Sequence, residues 1–552
     1  MPELNTIHKE VLERYNRPVV HIRKQVLMNR FGLIFGAGMS EGFGILTWDK
    51  LIVALSRDAE VQGEGVLKMV PPRAGLPYQT EMLFEHFKQR RYTKAPPKEH
   101  HTRPLDYHIG SDWREIVRKH LYAGVSGDLG KSLDGHPYLK LYLPLIQRSH
   151  MTVTYNFDDF IEQSLLRTRD GEPASSRGFE SVTNPWTQFR RTDAIIYHPN
   201  GVIPQNALET PSDRFVFSEA SYAEQLMGIF AGDQAGLVSH LSKHTCLLIG
   251  LSLEDDTLRN VLMQGARACP GNFHYYVHYL KPGQTIDDEK KLAIRLANFK
   301  VYNLVTLFLD DAGIRTLGEL INVDSCPKNT FCDFACEHNI PVQFRFYVTG
   351  SLGVGKSTTI NHFRNLVVLD EWLDQRPAVL AKDWETLTPK EKRFADQWIA
   401  SQFKQKNDFL RNEREGVFVL DRGPLDPMTF TPDVEWCNKA KRLLGVICPG
   451  KVKWQVEDGR VILLQGDSNE HALRMVITQR KDYTAKKLCS MEVRLEKAYG
   501  SYGVTKFDTR GLTPTDVARR VAEIIHLDPY AQNCNLHKRL KDIRKDGFNV
   551  KD

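Results

Sequence analysis

The sequence predicts an α/β fold, with two doubly wound parallel-sheet domains carried on one chain. Three observations predict it. In the first half, apolar runs of strand length alternate with stretches of helical periodicity. One such run, Phe31 to Phe35, enters the glycine turn Gly36-Ala37-Gly38. In the second half an alternating run, Val342 to Val348, enters GSLGVGKST, a complete G-x4-G-K-[ST] phosphate loop followed at once by a helix.

At 552 residues the chain is too long for a single core. Its composition, 41% hydrophobic and 26% charged, suits folded domains rather than disorder. The expected division is a first domain over 1–325 with a helical insertion at about 50–150, a linker over 326–341, and a second domain over 342–552 ending in a basic tail. The opening MPELNTIHKE has no apolar signal core, and no apolar run approaches the ~20 residues of a membrane helix. The nine cysteines form no CxxC pair, so reduced thiols in a cytoplasmic protein are expected. A net charge of +6 is mild and leaves nucleic acid an open question. The basic segments Lys88 to Arg103 and the tail from His537 read as solvated loop and chain end.

Helical spacing at Leu4, Ile7, Val11 and Tyr15, and again at Val19, Ile22 and Val26, predicts two short helices separated by Pro18. The strand Phe31 to Phe35 follows, and its glycine turn would let backbone N–H groups meet a pyrophosphate. A plain strand-to-helix turn is the bland alternative. A largely helical stretch leads to Val153, in a short strand that ends in Tyr155-Asn156-Phe157-Asp158-Asp159. Ligands bind at the carboxyl ends of such strands. Asn156 and Asp158, two apart, would face one way, and Asp159 would cap the next helix. Ile195 and Ile196 predict a further strand, with His198 and Asn200 alternating to one side of its continuation. Another strand, Cys246 to Ile249, ends at Gly250 and Ser252, and Phe273 to Leu280 gives one more.

The ordered set GAG-x-S, TYNFDD, the His/Gly element, FVFSEASY and LLIGLSLEDD resembles the sirtuin-like family over about residues 20 to 310. It is most similar to the bacterial branch found in antiviral defence proteins, whose members cleave NAD+. The resemblance implies a Rossmann-like NAD-binding sheet. Gly36, Ala37, Gly38 and Ser40 would line the pyrophosphate, with Gly250 and Ser252 toward the adenosine half. Asn156 would hold the nicotinamide ribose or the attacking water, and Asp158 would engage the carboxamide. Two departures stand out. The place of the family's catalytic histidine holds Asn200, so His198 is the expected base. The cysteine-rich zinc module of deacylating sirtuins has no counterpart, since Gly201 to Thr245 contains no cysteine. No zinc is therefore expected, and NAD+ hydrolysis is favoured over deacylation.

After the junction, Cys326, Cys332, Cys336 and His338 cluster at spacings foreign to common zinc fingers. In the phosphate loop, Gly350, Gly353 and Gly355 free the backbone to cradle phosphate. Lys356 would reach the terminal phosphates, with Ser357 and Thr358 beside it and Mg2+ on Ser357. A second strand ends in Asp370-Glu371 and a third in Asp421-Arg422, and Arg474 and Arg480 lie on an expected helix or lid. This half resembles the deoxynucleoside and thymidylate kinase group over about 342 to 527. The resemblance implies Asp370 or Glu371 at the phosphoryl acceptor, Asp421 near Mg2+, Arg422 at the acceptor, and Arg474 and Arg480 closing on the phosphoryl group. The expected function is an antiphage effector that hydrolyses NAD+ under control of a nucleotide-sensing, kinase-like half binding ATP or another nucleoside phosphate. Homo-oligomers and no membrane association are expected. A nucleotide kinase with a regulatory first half, or an NAD-dependent deacylase, is the alternative.

Overall fold

The computed structural model describes residues 4–551 apart from 72, 95–104, 126, 128, 170–177, 184–192, 210, 213–214, 233, 383–385, 451–454, 478–482, 501–502 and 532–534. The chain divides into two compact units: Met1–Val11 with Gln25–Ala268 and Phe273–Pro327, and Leu12–Lys24 with Cys269–Asn272 and Lys328–Asp552. No described helix is long and apolar enough to cross a membrane.

The first unit is built on a seven-stranded, wholly parallel sheet. Its strands are β1 (Phe31–Phe35), β2 (Met151–Thr154), β3 (Phe179–Val182), β4 (Ala194–Tyr197), β5 (Thr245–Ile249), β6 (His274–Tyr279) and β7 (Leu304–Leu309), in the order β3-β4-β2-β1-β5-β6-β7. The central strands β1, β2, β4 and β5 are buried along their whole length. That is the condition of parallel strands covered by helices on both faces, and it explains their continuous apolar sequence. The order reverses between β2, β1 and β5, so the loops after β1, β2 and β5 meet at the topological switch point of the sheet. Among the described residues six helices, Trp48–Arg57, Glu64–Met69, Leu76–Lys94, Leu105–Leu121, Leu129–Gly135 and Leu139–Arg148, lie between β1 and β2, where the helical insertion was expected.

The second unit has a five-stranded parallel sheet. Its strands are β8 (Gln343–Gly350), β9 (Val367–Leu369), β10 (Gly416–Asp421), β11 (Arg460–Gln465) and β12 (Val504–Asp508), ordered β12-β11-β8-β10-β9. Trp436, Leu443, Ile447, Leu495, Leu536 and Ile543 pack one apolar core with Phe418 and Leu420 of β10. The long helix Pro389–Asn412 starts on a capping box, in which Thr388 accepts from the Glu391 N–H and the Glu391 carboxylate accepts from Thr388.

Three local expectations change. The paired N-terminal helices form one element, Thr6–Leu27, with a non-helical break at Tyr15 rather than at Pro18. Pro18 then falls in the first turn after the break, where its missing N–H leaves no bond unmade. Within this element, Leu12–Lys24 counts with the second unit. There Arg23 is buried against Glu415 (2.8 Å) and over the Phe331 ring. The expected linker contains a helix, Lys328–Glu337. Finally, β4 stops at Tyr197, so His198 and Asn200 lie beyond the strand and do not alternate along it.

Candidate functional site

The carboxyl ends of β1 and β2 bring Gly36, Ser40, Asn156 and Asp158 together. Asn156 is buried, and its Nδ2 donates to the Gly36 carbonyl (3.1 Å) and to Ser40 Oγ (2.8 Å). Both amide hydrogens are thereby committed to protein, and the orientation of the side chain is set. Its Oδ1 accepts no hydrogen bond from the described residues. Asp158 is buried beside Ser40. Burial pushes its carboxyl up to about 6, against the lowering effect of the Ser40 hydroxyl and the Phe160 N–H. Below this pair, His136 Nε2 bonds the Met39 carbonyl (3.0 Å) while its ring stacks on Phe43, which fixes the turn after β1.

His198 does not serve as the expected base. Its ring is fully buried, with Nε2 on Glu162 Oε1 (2.7 Å) and Nδ1 on the Asn156 carbonyl (3.3 Å). Both nitrogens thus face oxygen acceptors, an arrangement that favours the charged ring. Burial works to lower its pKa, but the Glu162 carboxylate outweighs that and raises it. The same ion pair lowers Glu162 against its own burial. A ring with both nitrogens engaged in this way turns neither toward a substrate. His198 braces the Asn156 backbone, and the carboxyl with the raised pKa at these strand ends is Asp158, held by Ser40 and the Phe160 N–H. Asn200 is equally committed: its Nδ2 donates to the Tyr155 carbonyl (3.4 Å) and its Oδ1 accepts from Gln225 (3.1 Å).

The glycine turn also differs from expectation. The N–H groups of Gly36, Gly38, Met39 and Ser40 donate to the carbonyls of Ile249, Gly250, Gly36 and Ala37. Those four donors are spent within the protein and do not form the expected pyrophosphate cradle. Glycine is required here for another reason: a Cβ on Gly36 would stand 2.5 Å from the Gly250 carbonyl oxygen. The turns after β1 and β5 thus pack backbone against backbone. Ser252 is exposed, and its Oγ accepts from the Glu254 N–H (3.4 Å). Asp159, expected as a helix cap, instead accepts from Tyr122 OH (2.9 Å), Gln163 Nε2 (2.8 Å) and the Gln205 N–H (3.2 Å).

In the second unit the phosphate loop has left-handed backbone at Gly353 (φ +81°) and Gly355 (φ +101°), conformations that glycine adopts without strain. Lys356 folds back onto the loop, donating to the Gly350 and Ser351 carbonyls (both 2.8 Å). Burial lowers its ammonium to about 7, against the raising effect of Asp426 and Asp421. Ser357 and Thr358 are exposed, and Ser357 Oγ donates to Asp421 Oδ2 (3.4 Å). Asp421 Oδ1 is buried with no hydrogen-bond partner, and burial raises the carboxyl. A hydroxyl and an unsatisfied carboxylate oxygen side by side form a donor set suited to Mg2+.

Arg422 sits at φ +67°, with Nε on Glu371 (2.7 Å) and a second nitrogen on Asp426 (3.2 Å). The two acids left open in the sequence have different surroundings. Glu371 faces the loop side, whereas Asp370 is exposed and bonds Arg364. Asp426 accepts further from Thr349 (2.8 Å), Tyr499 (2.6 Å) and the Gly423 N–H (3.1 Å), and so holds Arg422 in place. Sequence reasoning missed Lys406, a buried lysine on the long helix that donates to the Asp421 carbonyl (2.7 Å). Burial lowers it to about 8. Arg474 is half-exposed and pairs with Glu470 one turn away. On the same helix, His471 Nδ1 meets Ser351 Oγ (3.3 Å). Arg480 lies outside the described residues. Cys326, Cys332, Cys336 and His338 do not converge as ligands among the described residues.

The sequence model of the SIR2-like domain family matches residues 150–304, about the stretch from β2 to β7. A comparison with curated proteins finds no match. Among solved structures, the chain is similar to a deoxyadenosine kinase from M. mycoides with bound dATP, at 13% identity and TM-score 0.26, over 33% of this chain and 98% of that one. It is also similar to a NadR protein in complex with NAD and AMP-PNP, at 11% identity and TM-score 0.26, over 69% of this chain and 88% of that one. At these scores neither likeness carries weight for function. The SIR2-like match and the geometry of the phosphate loop support a nucleotide-related enzyme.

Proposed function

We propose that the first unit hydrolyses NAD+ to nicotinamide and ADP-ribose, and that a nucleoside phosphate bound to the second unit controls this activity in antiphage defence. The carrying observation is the Asn156 amide, with both hydrogens spent, its Oδ1 uncommitted among the described residues, and the buried Asp158 joined to it through Ser40. Breaking the nicotinamide–ribose bond sends its electron pair to the pyridine nitrogen and leaves an oxocarbenium-like C1′. Water oxygen then bonds C1′ and releases one proton. Such a site needs an acceptor to orient the water or a ribose hydroxyl, and a base to take the proton. Asn156 Oδ1 suits the first role. Asp158, ionised above about 6, suits the second. Ser40 links the two side chains.

A destructive hydrolase must be silent at rest. A phosphate loop that binds its ligand more tightly in the active state than in the resting state shifts the population toward activity, and nothing else about the ligand matters. Homo-oligomer assembly fits this reading as an amplifier. Ser357 and Asp421 would hold Mg2+, which neutralises phosphate charge when bound. The Arg422–Glu371 pair and the unsatisfied Asp421 Oδ1 also favour a second reading, phosphoryl transfer to a nucleoside or nucleotide.

The test is nicotinamide release from NAD+ by the full-length protein, with and without a panel of nucleoside phosphates. The expected result is release that depends on one nucleotide, is lost in Asp158→Asn, and becomes insensitive to nucleotide in Lys356→Ala. Intact NAD+ under every condition, with phosphorylation of a nucleoside, would replace this reading with the second.

A further inference from the structure

The amino ends of β2 and β5 flank β1 at the end of the sheet opposite the candidate site. Three histidines meet there. His150 immediately precedes β2, and His244 immediately precedes β5. His240 lies one helical turn before His244, on the helix Ala235–Lys243, so the two share a face. One ring nitrogen from each of the three lies within 4.8 Å of those of the other two. The rings of His150 and His244 stack at 4.5 Å, as do those of His240 and His244.

His240 makes this more than a chance cluster. The residue is 4% exposed, and neither of its ring nitrogens has a hydrogen-bond partner. A buried imidazole without a partner for either nitrogen is costly. The surroundings are shaped to keep it: a Cβ on Gly32 of β1 would stand 2.4 Å from His240 Nε2. Among the described residues no carboxylate belongs to the convergent group, so proton-mediated pairing with an acid does not account for it.

We propose that His150, His240 and His244 bind one divalent late first-row transition metal ion, of which Zn2+ is the natural occupant. Imidazole nitrogen suits this class of metal, whereas Mg2+ and Ca2+ prefer oxygen. A tetrahedral ion about 2.1 Å from each nitrogen holds the ligands roughly 3.4 Å apart. Rotation of the exposed His150 side chain supplies much of that closure. The ion ties the starts of β2 and β5 across β1, and its role is structural. This reverses the expectation of no zinc, which rested on the absence of cysteine and took no account of histidine.

The experiment uses the full-length protein and does not depend on NAD+ hydrolysis. Metal content after dialysis against Zn2+, visible absorption after Co2+ substitution, and melting temperature with and without EDTA are measured for wild type, His150→Ala and His244→Ala. His240 is left intact because its loss could unfold the unit. Expected are one ion per chain, a Co2+ spectrum of tetrahedral type, a lower melting temperature in EDTA, and an affinity at least about tenfold weaker in each variant. Absence of stoichiometric binding in wild type, or unchanged affinity in the His150→Ala/His244→Ala double variant, would overturn the proposal.

Discussion

Replacing Glu162 by glutamine tests the buried pair beneath the candidate site. Glu162 Oε1 accepts from His198 (2.7 Å) and from Ser181 Oγ (2.8 Å), while Oε2 is buried without a partner. Glutamine keeps the acceptor but removes the charge, and it puts an amide hydrogen pair where no acceptor waits. Losing one partner of a buried ion pair costs about 3–5 kcal/mol. His198 recovers part of this by releasing a proton, since burial alone drives it toward the neutral form. The net expectation is about 3 kcal/mol, roughly a hundredfold in the unfolding equilibrium. A neutral His198 donates from one nitrogen only, so its hold on the Asn156 carbonyl weakens and nicotinamide release falls as well. The pH dependence gives an independent check. His198 is raised above its ordinary 6.5, so its share of stability is present below that value and is lost as pH rises through the folded value. Glu162 is lowered from its ordinary 4.5, so its share is present above that value and is lost as pH falls through the folded value. Wild type should therefore lose melting temperature on the alkaline side of 6.5, and Glu162→Gln should lack this decline. Thermal melts of both proteins from about pH 5 to 9 decide it. A variant within about 0.5 kcal/mol of wild type, the range of ordinary surface substitutions, would refute the charged pair, as would an identical pH profile.

Asn156→Ala should lower nicotinamide release at least about a hundredfold while leaving nucleotide binding to the second unit intact, as measured by steady-state kinetics and calorimetry. With Asp158 as base, nicotinamide release in wild type should fall as pH drops through about 6, followed in a rate profile against pH. Nucleoside triphosphate binding should restore the charge on Lys356, which sits near 7 in the free protein. Calorimetry in buffers of different ionisation enthalpy should then show uptake of about half a proton at about pH 7, and more at higher pH. Asp421→Asn should weaken the Mg2+ dependence of nucleotide binding by about tenfold or more, read from affinity with and without Mg2+.

What could be read from sequence was what short range decides. β1, the phosphate loop and the helix after it are each specified within about ten residues, by apolar runs, glycines and the lysine at fixed spacing. The choice between Asp370 and Glu371 was not legible, because two adjacent acids look alike until the sheet orients them. Glu371 then finds Arg422, and Asp370 finds Arg364. β11 was missed although RVILLQ is a plain buried run, since no motif drew attention to it.

The histidines show the limit most clearly. His198 attracted a catalytic reading because of its place near a glycine, yet its role is set by Glu162, 36 positions earlier and on another element. His150 and His240, about 90 positions apart in sequence, attracted none, and the sheet brings them to one point. The chemistry of an imidazole depends on what its two nitrogens can reach. Where both meet fixed oxygens, as at His198, the charged ring is favoured and the side chain is a brace. Where neither meets anything, as at His240, the ring keeps a lone pair available for a ligand that the polypeptide does not itself supply. Two residues of one type in one unit thus have opposite properties, and the difference lies in long-range partners that no spacing rule encodes.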